Sequence, residues 1–536
     1  MWKPEEYGTK HWMSGSLGRS AFIPCIMFSI GFAVVIFVAI GSLTWPLGND
    51  QSHYGFVGDA ILDGRVPYRD AWDLKGPLTY YIFACTRAIL GRNEVSIRVF
   101  DLIVVSLFCR QLRRLVFHLN GRQTFGANFA VLFFLLSYFG GGQWFTAQPD
   151  DWGGMLILTV ISLLLNHARN PYVTMAASGV IIALAILLKP TFVIFTPLII
   201  LYPERYRGQA FNSVKIFAVC ILVMILVLVA SYAVVFRKGG FYDLFDALRF
   251  AYSAYGSFGQ RILPERIYNG ALVLRELGLV IPYVLVLVAL WAMRKLDYGS
   301  LARMLGAWFS LSIVMVVYQG AYWGDEFISA TISAAVIIGV SLTHLDRWLK
   351  APIMRYLGQG AVFLLIGITS LESSVSSSIF SALEWPGYVL GLKSRKEFVV
   401  QIGEPWDRRQ ELEELTEYVV THTGPNDMIQ IWGWDIRPLT LSGRKPASRF
   451  GTTWQTFTET PMQSTYRRVF MEDISRSVPC CILVDTSYSD GDSFLKTVRE
   501  FPEFDKFLHA HYKLESRVGE FQVWTLEHSR ASFGRN

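Results

Sequence analysis

Side chains that could do chemistry are concentrated in one short stretch, the Asp-rich segment Trp45–Leu78 (WPLGNDQSHYGFVGDAILDGRVPYRDAWDLKGPL). A loop that only connects two helices has no need of so many carboxylates held among glycine, proline and aromatic residues. Two segments, 48–98 and 237–276, are also rich in Arg and Lys, and an anionic ligand is the natural explanation. The acids of the Asp-rich segment are Asp50, Asp59, Asp63, Asp70 and Asp73, and its cations are Arg65, Arg69 and Lys75.

The composition excludes a wholly water-soluble protein. Of the 536 residues, 52% are hydrophobic and only 17% are charged, whereas an ordinary soluble domain has about 25% charged residues. A disordered or fibrous chain is excluded on the same grounds. The net charge of +6 includes no dense Lys/Arg tract, so no nucleic-acid partner is expected. The six cysteines lack the spacing of a zinc site or a disulfide framework.

Apolar runs long enough to cross a bilayer recur through the first 379 residues and predict about eleven transmembrane helices. The first run, Ala21 to Leu47, is too long for the core of a signal peptide. It is therefore expected to be an uncleaved span that follows a cytoplasmic N-terminus. Pro77–Leu90 is too short to cross and is expected to be a re-entrant or interfacial helix. The other runs are 96–117, 124–140, 152–167, 173–188, 191–203, 214–236, 277–293, 301–319, 327–344 and 359–377.

The basic residues between these runs set the expected orientation. Arg110, Arg113, Arg114 and Arg122 share one loop, and alternation of the spans places this and most other basic loops in the cytoplasm. An odd number of spans then places the C-terminal part outside the cytoplasm. No internal repeat of the kind found in many secondary transporters is visible.

Residues 380–536 have the composition of an ordinary soluble domain. Alternating patterns predict helices at 405–422, 461–476 and 493–508, and strands at 427–433, 480–485, 513–518 and 521–526. Helices that alternate with strands predict a small α/β layer domain. The expected organisation is therefore a multi-span domain over 1–379, with a first outer loop at 45–95 that holds the candidate catalytic residues, and a soluble α/β domain over 380–536.

The chain resembles the polytopic membrane glycosyltransferases of the GT-C type, in the bacterial branch that includes protein O-mannosyltransferases and lipid A aminoarabinose transferases. The resemblance rests on Asp50 after the first span and on GRVPYRDAWDLKGPL at Gly64–Leu78. It extends to AQPDD at Ala147–Asp151 and LKPT at Leu188–Thr191, and it covers essentially the whole chain. It implies the GT-C fold, a polyprenyl-phosphate sugar donor, and an envelope glycan, glycolipid or protein as acceptor. The implied location is the bacterial inner membrane, with the C-terminal domain in the periplasm.

Two residues match the central positions of this family. Asp50 matches the catalytic acid and is expected to be the general base, because a sugar hydroxyl is a poor nucleophile until its proton is removed. Lys75 matches the lysine that contacts the carrier phosphate, where negative charge accumulates as the sugar departs. Asp50 could alternatively form a helix cap or turn, and Lys75 could anchor the helix that follows at the interface.

Two positions depart from the family pattern. Gly76 replaces the first proline of the usual Lys-Pro-Pro, and Leu74 stands where a carboxylate often precedes the lysine. The second departure weakens the expectation of a bound metal, so no metal ligand is assigned and a divalent metal is left open.

Further candidate residues surround this centre. Asp150 and Asp151 are either helix N-caps or second carboxylates that face the donor sugar or the acceptor. Tyr322 and Trp323 are candidates for stacking on a sugar, with interfacial anchoring as the alternative. The remaining candidates for substrate binding are Tyr68, Arg65, Arg69, Asp73, Arg261 and Arg266.

The leading hypothesis is an inverting glycosyltransferase. An O-antigen ligase or polymerase would use Arg and His in a large outer loop, but the 237–276 loop contains no His and Asp50 would have no role. A glycolipid transporter or flippase predicts repeats and charges deep within the spans, and neither is evident. The sequence names neither the sugar nor the acceptor.

Overall fold

The computed structural model describes residues 19–120, 124–165, 170–201, 210–258, 263–295, 298–348, 360–362, 367, 383–403, 407–489 and 492–527. The chain divides into two compact units. The helical unit comprises Met1–Thr44, Arg98–Leu228 and Ile262–Leu383, and the mixed unit comprises Trp45–Ile97, Val229–Arg261 and Glu384–Asn536. The Asp-rich segment thus belongs to the same unit as the C-terminal region. The domain boundary near residue 380 stays a prediction.

The helical unit is built from apolar helices around one buried helix, Ile328–Trp348. Small and β-branched side chains of this helix, such as Ala330 and Val336, are fully buried. Gly339 lets it approach a neighbouring backbone, since an added Cβ would lie 2.7 Å from the carbonyl oxygen of Gly126. The other helices are Arg19–Gly41, Val95–Leu119, Thr124–Gly140, Pro149–Leu165, Pro171–Leu188, Ala210–Val235, Leu263–Glu276, Val280–Lys295 and Gly299–Gln319, with 3-10 turns at Ser42–Thr44, Pro190–Leu201 and Gly324–Phe327.

Within the described ranges, four helical segments are long and apolar enough to cross a membrane, and two bent helix pairs would raise this to six. The predicted number of about eleven spans therefore stays a prediction. The apolar run at 191–203 forms the 3-10 helix Pro190–Leu201, and the run at 359–377 lies almost entirely outside the described residues. The four segments are Pro171–Leu188, Val214–Val235, Gly299–Gln319 and Gly324–Leu342.

The mixed unit contains a five-stranded sheet and a separate two-stranded pair. The strands are β1 (Met428–Trp432), β2 (Lys445–Pro446), β3 (Cys481–Asp485), β4 (Tyr488–Ser489), β5 (Asp492–Ser493), β6 (Tyr512–Val518) and β7 (Phe521–Leu526), with β4 and β5 forming the separate pair. The order of the five-stranded sheet is β2-β1-β3-β7-β6. β1 is parallel to β2 and β3, while β7 is antiparallel to β3 and β6. All five residues of β3 are buried because it lies at the centre, whereas burial alternates along the edge strand β6.

The helices predicted at 405–422 and 461–476 are present as Arg409–His422 and Gln463–Arg476, whereas Asn49–Leu62 forms where the sequence predicts a loop. The helix Pro77–Leu90 forms with the predicted bounds, and its interfacial location stays a prediction. The single helix predicted at 493–508 is wrong, because the structure has two helices there and Pro502 opens the second. The helices of this unit are Asn49–Leu62, Pro77–Leu90, Phe241–Phe258, Trp385–Val389, Arg395–Ile402, Arg409–His422, Arg437–Ser442, Trp454–Phe457, Gln463–Arg476, Phe494–Arg499 and Pro502–His511.

Packing inside the helical unit makes a testable prediction at Gly153. A Cβ at this position would lie 2.2 Å from the ring of Phe192, which is fully buried. Overpacking of this kind costs about 1–3 kcal/mol, so Gly153→Ala should lower the unfolding temperature of the detergent-solubilised protein. Gly306→Ala is the matched control, because its Cβ would meet Leu290 at an ordinary 3.5 Å. Equal unfolding temperatures for the two variants would contradict the packing described here.

Candidate active site

Asp50 lies in the first turn of the first-loop helix, Asn49–Leu62. Gly48 has an extended backbone and precedes the first helical residue, so the helix begins immediately before Asp50. A carboxylate in the first turn is favoured by the partial positive charge of the helix N-terminus. Most of the helix is buried, but the Asp50 side chain is 48% exposed. Its carboxylate is therefore fixed in direction by the helix and remains open to a ligand.

Lys75 approaches this carboxylate from the other end of the Asp-rich segment. Its Nζ lies 3.8 Å from Oδ2 of Asp50, and its side chain is 16% exposed. The hydroxyl of Tyr54, one helical turn after Asp50, donates to the same Oδ2 at 3.2 Å. The Lys75 Nζ also lies 5.9 Å from the centre of the Tyr54 ring. The structure therefore brings together the two residues that the sequence singles out.

Two buried tyrosines hold the backbone of Lys75. The Tyr68 hydroxyl donates to the Lys75 carbonyl oxygen at 2.7 Å, and the Lys75 amide donates to the Tyr80 hydroxyl at 2.8 Å. The rings of Tyr68 and Tyr80 meet edge to face, with centroids 5.6 Å apart. Tyr68 adopts a positive φ of 68°, which is uncommon for a residue with a side chain. The unusual backbone conformation of Tyr68 therefore helps to set the path of the chain that leads to Lys75.

The five acids of the Asp-rich segment divide into two groups. Three of them bond directly to an arginine, at 2.7 or 2.8 Å. Asp50 instead faces Lys75, and Asp73 accepts a hydrogen bond from Tyr80 at 3.0 Å. The arginine-bonded acids have structural partners, so Asp50 and Asp73 remain as candidates for chemistry. The three arginine pairs are Asp59–Arg87, Asp63–Arg92 and Asp70–Arg69.

Arg65 and Arg69 make contacts away from Lys75. The Arg69 guanidinium binds Asp70, holding the pKa of that carboxyl group below its usual range, and donates to the Lys238 carbonyl oxygen at 2.9 Å. The Arg65 guanidinium lies 5.9 Å from the centre of the Phe56 ring. Their predicted roles in substrate binding stay predictions.

Asp73 and His53 form a second polar group beside Lys75. Loss of hydration, the largest effect, raises the pKa of the Asp73 carboxyl group, although His53 and Lys75 oppose the rise. The buried Nδ1 of His53 has no hydrogen-bond partner within the described ranges. Sequence analysis missed His53, and the signal available was its spacing three residues after Asp50, which places both on one helical face.

The raised pKa of Asp73 makes stability depend on pH in a definite direction. A raised pKa in the folded state stabilises the fold at low pH, and this contribution is lost as the pH rises through the folded-state pKa. Asp73→Asn removes the ionisation and keeps an oxygen that can accept from Tyr80. The variant should therefore gain unfolding temperature over the wild type as pH rises from about 3.9, the usual carboxyl pKa, to neutrality. Thermal unfolding across this range checks it, and a variant that loses stability relative to the wild type on the same rise would contradict it.

A second set of acids lies in the helical unit. Asp150 is fully buried and binds Lys189, whose Nζ lies 2.9 and 2.8 Å from its two oxygens. Asp151 is also fully buried: one of its oxygens accepts from the Gln148 amide at 3.0 Å, and the other, Oδ1, has no hydrogen-bond partner among the described residues. Asp151 lines a small cavity of about 30 Å³ together with Tyr138 and Asp325.

A further acid, Asp101, bonds to Tyr138, which lines the same cavity as Asp151. Its carboxylate accepts hydrogen bonds from the Tyr138 hydroxyl at 2.8 and 2.9 Å and from the Trp152 indole at 2.9 Å. The helix Pro149–Leu165 has Asp150 and Asp151 in its first turn. Their functional role stays a prediction. The partners Lys189 and Asp101 were not predicted as site residues.

The remaining candidates fall in the helical and mixed units with different degrees of burial. Tyr322 is buried with a φ of 59°, its amide donates to Oε2 of Glu326 at 2.9 Å, and Trp323 is 57% exposed. Arg266 lies in the helix Leu263–Glu276. Arg261 lies outside the described residues.

The buried pair Asp150–Lys189 makes a prediction about folding. Removal of one partner of a buried ion pair costs about 3–5 kcal/mol because the other charge is left without compensation. Lys189→Met should therefore strongly reduce the yield of folded protein. Asp150→Asn combined with Lys189→Met should recover much of that yield, as measured by size-exclusion chromatography and thermal unfolding. A double variant as unstable as Lys189→Met would contradict the pairing.

Among the described residues, no group of three or more His, Cys, Asp or Glu side chains could hold a metal ion. A carboxylate that is open to a ligand and lies next to a lysine can take a proton and neutralise an anion. This is chemistry of the acid–base and electrostatic kind.

Comparison with known proteins identifies the fold. The sequence matches no protein-family model, and no curated protein matches it. The structure is similar to the crystal structure of ArnT from Cupriavidus metallidurans bound to undecaprenyl phosphate, with a TM-score of 0.59 and 12% sequence identity over 95% of this chain and 99% of that chain. It is also similar to the apo state of the same protein, with a TM-score of 0.54 and 12% identity over 94% of this chain and 98% of that chain. ArnT is a lipid A aminoarabinose transferase. The chain therefore has the fold of a GT-C enzyme, as the resemblance in its sequence predicts.

Proposed function

We propose that this protein is a glycosyltransferase that moves a sugar from a polyprenyl-phosphate donor to an envelope acceptor. The observation that carries the proposal is the 3.8 Å approach of the Lys75 ammonium group to the half-exposed carboxylate of Asp50. The reaction needs one group that accepts a proton and one that neutralises a phosphate, and this pair supplies both. A polyprenyl donor also requires a membrane-embedded enzyme, which agrees with the four apolar helices.

The proposed reaction is a single displacement with inversion at the anomeric carbon. The acceptor hydroxyl oxygen forms a bond to that carbon while Asp50 takes the hydroxyl proton. The bond between the anomeric carbon and the phosphate oxygen breaks, and its electron pair leaves with the lipid phosphate. Lys75 stabilises the negative charge that accumulates there. The products are the glycosylated acceptor, the polyprenyl phosphate and a proton, which Asp50 later releases to solvent.

Tyr68 and Asp73 enter this mechanism through Lys75. Tyr68 binds the Lys75 carbonyl oxygen, and Tyr80 links the Lys75 amide to the Asp73 carboxylate. These bonds fix the backbone of Lys75 and so set the direction in which its side chain points, which limits the reorganisation needed when a phosphate binds. In this proposal Asp73 is a positioning residue.

The other candidates extend the proposal to the substrates. Asp151 is proposed as a second carboxylate that faces the sugar or acceptor, because one of its buried oxygens lacks a partner in the described part of the chain. Trp323 is proposed to stack on a sugar, since its ring is exposed beside the buried Tyr322. Arg65, Arg69, Arg261 and Arg266 are proposed to assist phosphate binding. The proposed location is the outer face of the bacterial inner membrane, with residues 380–536 in the periplasm.

The fold supports a lipid-phosphate donor. The ArnT structure with the higher TM-score contains undecaprenyl phosphate, and that protein is a transferase. The identity of 12% is too low to carry over the particular sugar or acceptor, so the proposal names only the class of donor and the class of acceptor.

Complementation of a deletion strain tests the proposal. Mass spectrometry of envelope glycolipids and glycans should show the loss of one discrete sugar mass in the deletion strain, and wild-type protein should restore it. General-base catalysis is worth about 10²–10⁴-fold, so Asp50→Asn at matched protein level should restore less than about one hundredth of the wild-type rate.

The matched control is Asp63→Asn, an acid of the same segment whose partners are Arg92 and Lys445. Partly exposed ion pairs of this kind contribute about 0–1 kcal/mol, so this variant should restore the sugar almost fully. A deletion strain with unchanged glycans would contradict the transferase, and a fully active Asp50→Asn variant would contradict the role of Asp50.

A further inference from the structure

The side chain immediately before Asp50 is held by the C-terminal region. Asn49 is 4% exposed, and both polar atoms of its amide are used. Its Nδ2 donates to the carbonyl oxygen of Trp434 at 3.2 Å, and its Oδ1 accepts from the backbone amide of Ile436 at 3.0 Å. These bonds join residues 385 and 387 positions apart in the sequence. The buried amide of Asn49 therefore forms hydrogen bonds with the backbone on both sides of Asp435.

The backbone before Asn49 is held by the same region. The guanidinium of Arg409 donates to the Leu47 carbonyl oxygen at 3.2 Å. The Leu47 amide donates to Glu94 at 3.1 Å, and Glu94 in turn binds Arg395 at 2.8 Å. Both polar groups of the Leu47 backbone are therefore connected to the C-terminal region, one directly and one through Glu94.

A buried ion network contains or adjoins the residues that make these contacts. Arg437 binds both Asp407 and Asp435, and Arg409 binds Asp407 at 3.2 Å. Asp407, Arg409 and Arg437 are all nearly completely buried. Breaking a buried ion pair is costly, because it leaves a charge without compensation. The network therefore resists displacement of the residues that hold Leu47 and Asn49.

The residues that bind Asn49 directly follow β1 of the sheet. β1 and β3 are parallel neighbours, so Gly433–Asp435 follows β1 at the carboxyl edge of the sheet. In open α/β sheets this edge usually binds ligands. Here the residues after β1 bind the start of the first-loop helix.

We propose that Asn49 is a positioning residue through which the C-terminal region fixes the carboxylate of Asp50. This inference rests on the proposed transferase function. The Tyr54 hydroxyl that donates to Asp50 belongs to the same helix as Asp50, so the position of the carboxylate depends on where that helix begins. A displacement of about 1 Å can reduce a rate by about 10²-fold.

Hydrogen exchange and transfer activity together test this role. Asn49→Ala removes both bonds, so it should speed amide exchange in the peptide that covers residues 45–62 and reduce transfer per folded protein by at least about 10-fold. Asn49→Gln keeps the amide group and should recover part of both losses. The purified full-length protein in detergent is used for exchange, and the complemented deletion strain is used for transfer.

Arg444→Ala is the matched control. Arg444 donates to Thr423 and Ser442 inside the C-terminal region. Its loss should lower the unfolding temperature without speeding exchange at 45–62 and without reducing transfer per folded protein.

Three results would overturn the inference. They are unchanged exchange at 45–62 in Asn49→Ala, faster exchange with unchanged transfer, and equal effects of Asn49→Ala and Arg444→Ala. Absence of any transfer by the wild-type protein would instead overturn the proposed function, and the positioning role with it. The exchange data would still report whether Asn49 holds the helix.

Discussion

The approach of Lys75 to Asp50 is the interaction on which the rest of the proposed site depends. At 3.8 Å, with the acid half exposed, the pair contributes little to stability, since exposed ion pairs are worth about 0–1 kcal/mol. Its geometry must therefore be maintained by other contacts. Tyr68 and Tyr80 hold the backbone of Lys75, and the start of the first-loop helix directs Asp50.

Both units contain buried charges that are bonded to one another. In the helical unit, Asp150 and Lys189 bond directly, and a buried pair of this kind is costly to break. In the mixed unit, Asp407, Arg409 and Arg437 form a buried ion network. Arg409 of this network also donates to the Leu47 carbonyl oxygen in the Asp-rich segment. The strongly bonded charges therefore have structural partners, while Asp50 remains weakly paired and open to a substrate. This contrast is expected of a site that must bind and release charged groups.

Features defined by local sequence were predictable from the chain. Continuous apolar runs predicted most helices of the helical unit, and the apolar run at 480–485 predicted β3, because a segment that is buried on all sides or crosses a membrane shows an unbroken run of apolar residues. The helix Pro77–Leu90 begins with its proline as expected. Asp50 and Lys75 came from a motif that resembles a known family. The break before Pro502 was missed although proline is a recognised signal.

Features that depend on distant residues were not predictable from one sequence. The partner of Asp150 lies 39 residues away, and the partners of Asn49 lie more than 380 residues away. Neither spacing leaves a local pattern. The structure was also needed to find which acids bond to arginine. Asp59 binds Arg87, in the last turn of the helix Pro77–Leu90, and Asp63 binds Arg92, which follows that helix. From the sequence alone, only the family resemblance singles out Asp50 as the general base among the five acids.

Binding of a polyprenyl phosphate tests the central claim most directly. Native mass spectrometry should compare undecaprenyl phosphate with the neutral alcohol of the same chain, using the wild type and Lys75→Met. If Lys75 holds the lipid phosphate, the wild type will retain the phosphate in preference to the alcohol, and Lys75→Met will lose that preference. Equal retention of the two lipids by the wild type, or an unchanged preference in Lys75→Met, would contradict the account.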